Sequence, residues 1–166
     1  MATKDVAPAG AADGSGLRVV VIRTRWNPEI IRRLADGVDR ALAEAAVTDV
    51  TVVEVPGAFE IPFAARTVAA SGRVDAIVAI GAVIRGETTH YDLVSEECAR
   101  GLQHVQISTG VPIGFGVLAT ENLEQALARS EGPDSNEPDN VPQPHNVGYD
   151  AAQVAVEMAL LARVWR

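Results

Sequence analysis

The amino-acid sequence predicts an α/β fold: a three-layer αβα sandwich built on a four-stranded parallel sheet. Short apolar runs alternate with stretches of helical period from one end of the chain to the other, the rhythm of consecutive βα units. The runs are continuously apolar and rich in Val, Ile and Ala, as in strands covered on both faces; a half-exposed strand would alternate apolar with polar. The first three runs also end in Asn-Pro, Pro-Gly or Gly turn signals just ahead of a helical stretch.

The first strand is "LRVVVIRTRW", Leu17 to Trp26. Asn27 follows as an N-cap and Pro28 as the first helical residue, where its missing N–H is not needed. Ile30, Ile31, Leu34, Val38, Ala41, Leu42 and Ala45 then recur at helical spacing. The second strand, "VTVVEVPG" (Val50 to Gly57), stops at Pro56-Gly57, and a helix starting near Ile61-Pro62 carries Ala64, Ala65, Val68 and Ala69. The third strand is "VDAIVAIGAVI" (Val74 to Ile84), and the helix after His90 shows Leu93, Val94, Cys98, Gly101, Leu102 and Val105. "VPIGFGVL" (Val111 to Leu118) is the fourth strand. Glu121 to Ser130 reads as a short helix with Thr120 as N-cap and Glu124 close to the capping-box position. The last helix runs from about Tyr149 to Val164. The alternation gives a doubly wound, flavodoxin-like sandwich.

A chain of 166 residues suits one domain, expected over 17–166. The preceding "MATKDVAPAGAADGSG", small and polar without an apolar core, reads as a disordered tail rather than a signal peptide. Glu131 to Asn146, with four prolines and a run of carboxylates, is a long loop without regular structure. Net charge is −8 with no basic cluster, which argues against a nucleic-acid partner. No apolar run reaches 18 residues, so no membrane span is expected. The lone Cys98 excludes a disulfide framework, and a cytoplasmic protein is the simplest inference.

In a doubly wound fold ligands bind beyond the carboxyl ends of the strands, so the residues there are the candidates. The turn after strand three, "GETTH" (Gly86 to His90), offers backbone N–H groups, the hydroxyls of Thr88 and Thr89, and an imidazole able to carry a proton near neutrality. The same residues also fit a plain helix cap with a surface histidine. Trp26 is placed either to stack on a flat heterocycle or to pack the first helix. Glu60 is placed either to accept hydrogen bonds from hydroxyls or to complement the start of a helix. Arg129, near a helix C-terminus, reads on its own as a dipole partner. Three histidines, His90, His104 and His145, show no ligand spacing, so no metal or other cofactor is expected.

Taken together, "RWN", "VPGAFEIPFAA", "AIGAVIRGETTHYD", "VPIGFGVLATENLEQALAR" and "AAQVAVEMALL", in this order, resemble lumazine synthases from about Arg18 to Leu161. The resemblance implies a transferase of riboflavin biosynthesis. Its reaction joins 5-amino-6-(D-ribitylamino)uracil to 3,4-dihydroxy-2-butanone 4-phosphate, giving 6,7-dimethyl-8-ribityllumazine, phosphate and water. It implies that Trp26 stacks on the pyrimidine, that Ala58, Phe59 and Glu60 bind the ribityl chain, and that Ala82, Val83 and Ile84 line the ring pocket. Glu87 and Thr88 would meet the butanone phosphate, and His90 would shuttle protons. Phe115 and Arg129 would reach the site from a neighbouring subunit, Arg129 holding phosphate. A non-catalytic flavin- or lumazine-binding paralogue of the same fold is the alternative.

Two departures stand out. Where relatives carry a "GNKG"-like segment, this chain has "HNVGYD", with Val147 at the lysine's place. That implies a phosphate site short of one cation and weaker binding of the phosphate substrate. The loop before the last helix is also lengthened, and in the family longer loops accompany free pentamers rather than sixty-subunit capsids; a homopentamer is expected.

Overall fold

The computed structural model describes residues 12–132 and 145–165. Strands β1 (Arg18–Thr24), β2 (Asp49–Val55), β3 (Ala76–Ile84) and β4 (Ile113–Thr120) form one parallel sheet in the order β2-β1-β3-β4. Helices α1 (Pro28–Glu44), α2 (Ile61–Ala70), α3 (His90–Thr109), α4 (Leu123–Ala128) and α5 (Val147–Trp165) complete the expected three-layer sandwich.

Side chains of a strand point alternately to opposite faces, and β3 divides its residues accordingly. Val78, Ile80 and Ala82 join Leu34, Val38, Ala152 and Val156 in the layer of α1 and α5. Ile77 and Ala79 join Ile61, Ala65, Cys98 and Leu102 in the layer of α2 and α3. Burial raises the Cys98 thiol to about 12, so it stays a protonated packing group.

With so few aromatics the layers close by letting backbones touch. A Cβ at Gly114 of β4 would overlap the Ala151 carbonyl of α5, and one at Gly148 would overlap the Leu34 carbonyl of α1. Asn146 fixes the start of α5: its Oδ1 accepts the Tyr149 N–H at 3.1 Å. Its Nδ2 donates to the Arg33 carbonyl at 2.9 Å and the Glu131 carbonyl at 3.0 Å.

Several boundaries differ from the sequence reading for physical reasons. The fourth strand continues to Thr120, because β3 pairs with it up to Ile84↔Thr120. The cap of α4 is therefore Asn122, whose Oδ1 accepts the Gln125 N–H at 2.9 Å, and not Thr120. Gln125 reaches back to the Glu121 N–H at 3.0 Å, taking the part assigned to Glu124. Helix α5 begins two residues early, at Val147. β2, expected to be covered, is an edge strand exposed at Val50 and Val52. Of the stretch 1–16, residues 1–11 lie outside the described residues, while Gly14 donates to the Ala45 carbonyl at 2.7 Å. Most of the Glu131 to Asn146 loop, residues 133–144, also lies outside them.

Strand three starts at Ala76 and not Val74 because Asp75 is committed to β1. Its carboxylate accepts from the Arg18 N–H at 2.8 Å and from Arg18 Nε and Nη2 at 3.0 Å each. The Arg18 guanidinium holds the Asp75 carboxyl below the usual carboxylate range, more than burial raises it. A depressed folded-state value means that the carboxylate stabilises the fold above its unfolded value of about 4, and that this is lost as pH falls through the folded value. Asp75→Asn should therefore cost about 1 kcal/mol in urea unfolding at pH 7, a figure kept small because Arg18 is half exposed. The difference from wild type should shrink below about pH 4; a gap that persists at low pH would contradict the ion-pair account.

Candidate active site

Chain order and strand order part company at the centre of this sheet. From β1 the chain goes first to β2 on one side and then, through α2, back to β3 on the other. The loops leaving β1 and β3 therefore diverge above adjacent strand ends, and the space between them is the crevice where doubly wound folds bind ligands.

A side chain ties the two lips together. Asn27 stands at the N-cap position of α1, but its side chain does not cap. Its Nδ2 donates instead to the Ala82 carbonyl of β3 at 3.0 Å, and its backbone takes the left-handed conformation with φ 55°. Asparagine tolerates that region better than most residues. The preceding Trp26 is turned outwards and is 72% exposed, so it is not core packing of α1. The indole lies over Gly57: a Cβ there would come within 3.3 Å of both Trp26 Cδ1 and Glu60 Oε2. Ring and carboxylate thus flank one stretch of bare backbone.

The loop after β2 supplies Ala58, Phe59 and Glu60 as one 3-10 turn. Ala58 is buried under it, Phe59 is 60% exposed, and the exposed Glu60 carboxylate has no hydrogen bond or ion pair among the described residues. At the end of β3, Ala82 is buried while Val83 and Ile84 are half-buried. Glu87, Thr88 and His90 are all exposed. Thr89 holds the N-cap position of α3 without a side-chain cap, and Thr88 Oγ1 accepts the His90 N–H only at a long 3.4 Å. His90 is the first residue of α3, and its imidazole has no partner among the described residues. The exposed, unpartnered imidazole fits a surface histidine as well as a proton carrier, while the side-chain cap is limited to the long Thr88 contact.

Phe115 and Arg129 stand apart. Phe115 lies five residues before the end of β4, about 16 Å back from the rim at strand rise. It is 47% exposed and, with Ala99, Leu102, Gln103, Gln106 and Ile113, lines a shallow hollow of about 210 Å³ between α3 and β4. Arg129 ends α4 and donates from Nη1 to the Gln125 carbonyl at 3.0 Å, the helix-end role legible in sequence. No carboxylate pairs with it among the described residues. Its carbonyl accepts the Val147 N–H at 2.9 Å, so Arg129 and Val147 meet at the start of α5.

One central residue escaped the sequence reading. Arg85, just past β3, pairs with Asp92 and Glu121 and lies over the Tyr91 ring. Its partners sit seven and thirty-six positions on, Asp92 in helix α3 and Glu121 just past β4, so no period within a single element joins them to Arg85. Among the described residues no three His, Cys, Asp or Glu side chains gather in a group suited to a metal ion.

What the crevice can do follows from its parts: stack a flat ring on Trp26, offer Glu60 to hydroxyls, offer donors at the "GETTH" turn to an anion, and move protons through His90. Comparison with known proteins bears on this. Residues 16–163 match the family model described as 6,7-dimethyl-8-ribityllumazine synthase. Among proteins of that name, one from Kineococcus radiotolerans is 52% identical over 126 residues, 76% of this chain and 78% of its own. One from Paraburkholderia phymatum is 44% identical over 152 residues, 90% of this chain and 80% of its own. One from Nitratidesulfovibrio vulgaris is 46% identical over 123 residues, 73% of this chain and 79% of its own.

Proposed function

The chain belongs to the 6,7-dimethyl-8-ribityllumazine synthase family, and from that premise we propose that the crevice between β1 and β3 is its active site. The enzyme is a transferase of riboflavin biosynthesis, condensing 5-amino-6-(D-ribitylamino)uracil with 3,4-dihydroxy-2-butanone 4-phosphate. No observation favours the alternative, a non-catalytic paralogue that only holds flavin or lumazine.

The observation that carries the site assignment is the Asn27–Ala82 bond, which sets an outward-turned Trp26 beside the β3 end. In our reading Trp26 stacks on the pyrimidine, while Ala82, Val83 and Ile84 floor the ring pocket. The free Glu60 carboxylate and the turn of Ala58 and Phe59 take the ribityl hydroxyls. The donors of Glu87 and Thr88 meet the phosphate. Amine attack on the ketone releases water and so needs a proton at the departing oxygen. Loss of phosphate needs one taken from carbon. His90, unpartnered at the helix start, is the group assigned to move both. Holding two substrates side by side supplies much of the remaining acceleration.

Phe115 and Arg129 are assigned to a neighbouring subunit's site, because Phe115 sits far back from its own rim. The exposed aromatics Phe59, Phe63 and Phe115 are surface that a partner copy would cover. We assign a homopentamer, in the cytoplasm, where a lone buried thiol suits a reducing compartment. Light scattering should give five times the 17.5 kDa chain; a capsid-sized mass would overturn this.

Purified protein given both substrates should produce the absorbance and fluorescence of the lumazine. His90→Ala should lower kcat by about 10²-fold or more, and unchanged turnover would remove His90 from the chemistry. In the same assay Val147→Lys should lower the KM for the phosphate substrate several-fold, about the worth of one added charge-assisted contact. An unchanged KM would contradict a cation deficit at that corner.

A further inference from the structure

The turn that carries His90 is held from outside by one residue with no assigned role. Arg85 leaves the end of β3 with its N–H bonded to the Thr120 carbonyl at 2.9 Å. Its guanidinium meets both oxygens of Asp92, Nη2 to Oδ1 at 2.9 Å and Nη1 to Oδ2 at 3.2 Å. On another edge Nε lies 2.8 Å from Glu121 Oε2, just past β4. Its Cζ lies over the Tyr91 ring, 4.0 Å from the ring centre. One planar group thus joins the first turn of α3 to the ends of β3 and β4, a task for which the forked geometry of arginine is suited and an ammonium is not.

The placement relative to His90 is what gives this a consequence. Asp92 is two residues beyond His90, about 200° around the helix. Gripping Asp92 fixes the turn while leaving the imidazole on the other side unobstructed. We propose that Arg85 is a positioning residue for the condensation, setting the first turn of α3, and with it His90 and the donors of residues 86–89, against the substrates. The same contacts dispose of two carboxylates. Without Arg85, Asp92 and Glu121 would stand uncompensated beside the turn that receives a phosphate. The strength of the grip on Asp92 is consistent with this: the guanidinium lowers its carboxyl below the usual range.

This inference rests on the assignment of His90 to the reaction, and its test separates the two. Arg85→Gln should reduce kcat about tenfold and raise the KM for the phosphate substrate. The KM for the ribitylaminouracil, bound at Trp26, should stay within about twofold, since a misplacement near 1 Å costs rates and not distant binding. Arg85→Lys should recover only part of the loss. Asp92→Asn should reproduce the fall in kcat, and the double variant should be no worse than either single one, because both remove the same link. Amide hydrogen exchange over residues 86–93 should quicken in Arg85→Gln whether or not turnover is measured, and Asp92→Asn supplies the same readout should Arg85→Gln fail to fold. Wild-type kcat and exchange in these variants would overturn the proposal, as would fully additive losses. If they behave like wild type while His90→Ala is inactive, the positioning role falls and the active-site reading stands. If instead the wild type makes no lumazine but exchange still quickens, the active-site reading falls and the anchoring of the turn stands.

Discussion

The hydrogen bond from the Asn27 side chain to the Ala82 carbonyl is the contact on which the crevice depends. The β1–β3 ladder ends at Arg23↔Ile80, so the carbonyl of Ala82 lies beyond it. A buried carbonyl left without a donor would cost about 1–3 kcal/mol. Asn27 satisfies it, and does so only because the chain leaves β1 in the left-handed conformation. That turn throws Trp26 outwards over Gly57 and delivers Pro28 to the start of α1. One amide therefore closes the sheet, aims the aromatic ring and launches a helix. The side chain that a sequence reader assigns to helix capping has been diverted to join the ends of β1 and β3.

Charge explains the other half. A chain carrying −8 must receive a phosphate, and it has few cations to spend on it. The arginine nearest the "GETTH" turn, Arg85, is already engaged by Asp92 and Glu121, so it shapes the turn instead of binding the anion. Arg129 carries no carboxylate partner among the described residues and stands beside Val147, where an apolar side chain packs against the α1 and α5 layer. In the reading proposed above, the anion is therefore assigned to backbone and hydroxyl donors at a helix start and to one arginine supplied by another chain.

The fold was legible because continuous apolar strands and amphipathic helices are both written in short-range pattern. Val19, Val21, Ile77 and Val78 announce a doubly covered sheet before any contact is known. The boundaries were less legible where tertiary partners decide them: Asp75 leaves β3 for Arg18, and pairing with β3 carries β4 through Thr120. Of the site, "GETTH" and Glu60 could be read as chemistry from residue type and position at strand ends. Trp26 could not be separated from a core tryptophan, since exposure is a property of the folded neighbourhood. Arg85 left no trace, because its partners are joined only by the fold. Phe115 and Arg129 entered through resemblance alone: neither lies at the β1–β3 crevice of its own chain, and the role we propose for them in a neighbouring subunit has no local signature.

The most direct test of the crevice as the active site is a crystal structure with an unreactive analogue of the ribitylaminouracil. The account predicts the pyrimidine stacked on Trp26 between the ends of β1 and β3, with the ribityl hydroxyls at Glu60 and the Asn27–Ala82 bond intact. Density for the analogue anywhere else, with an empty crevice and Trp26 unengaged, would contradict it.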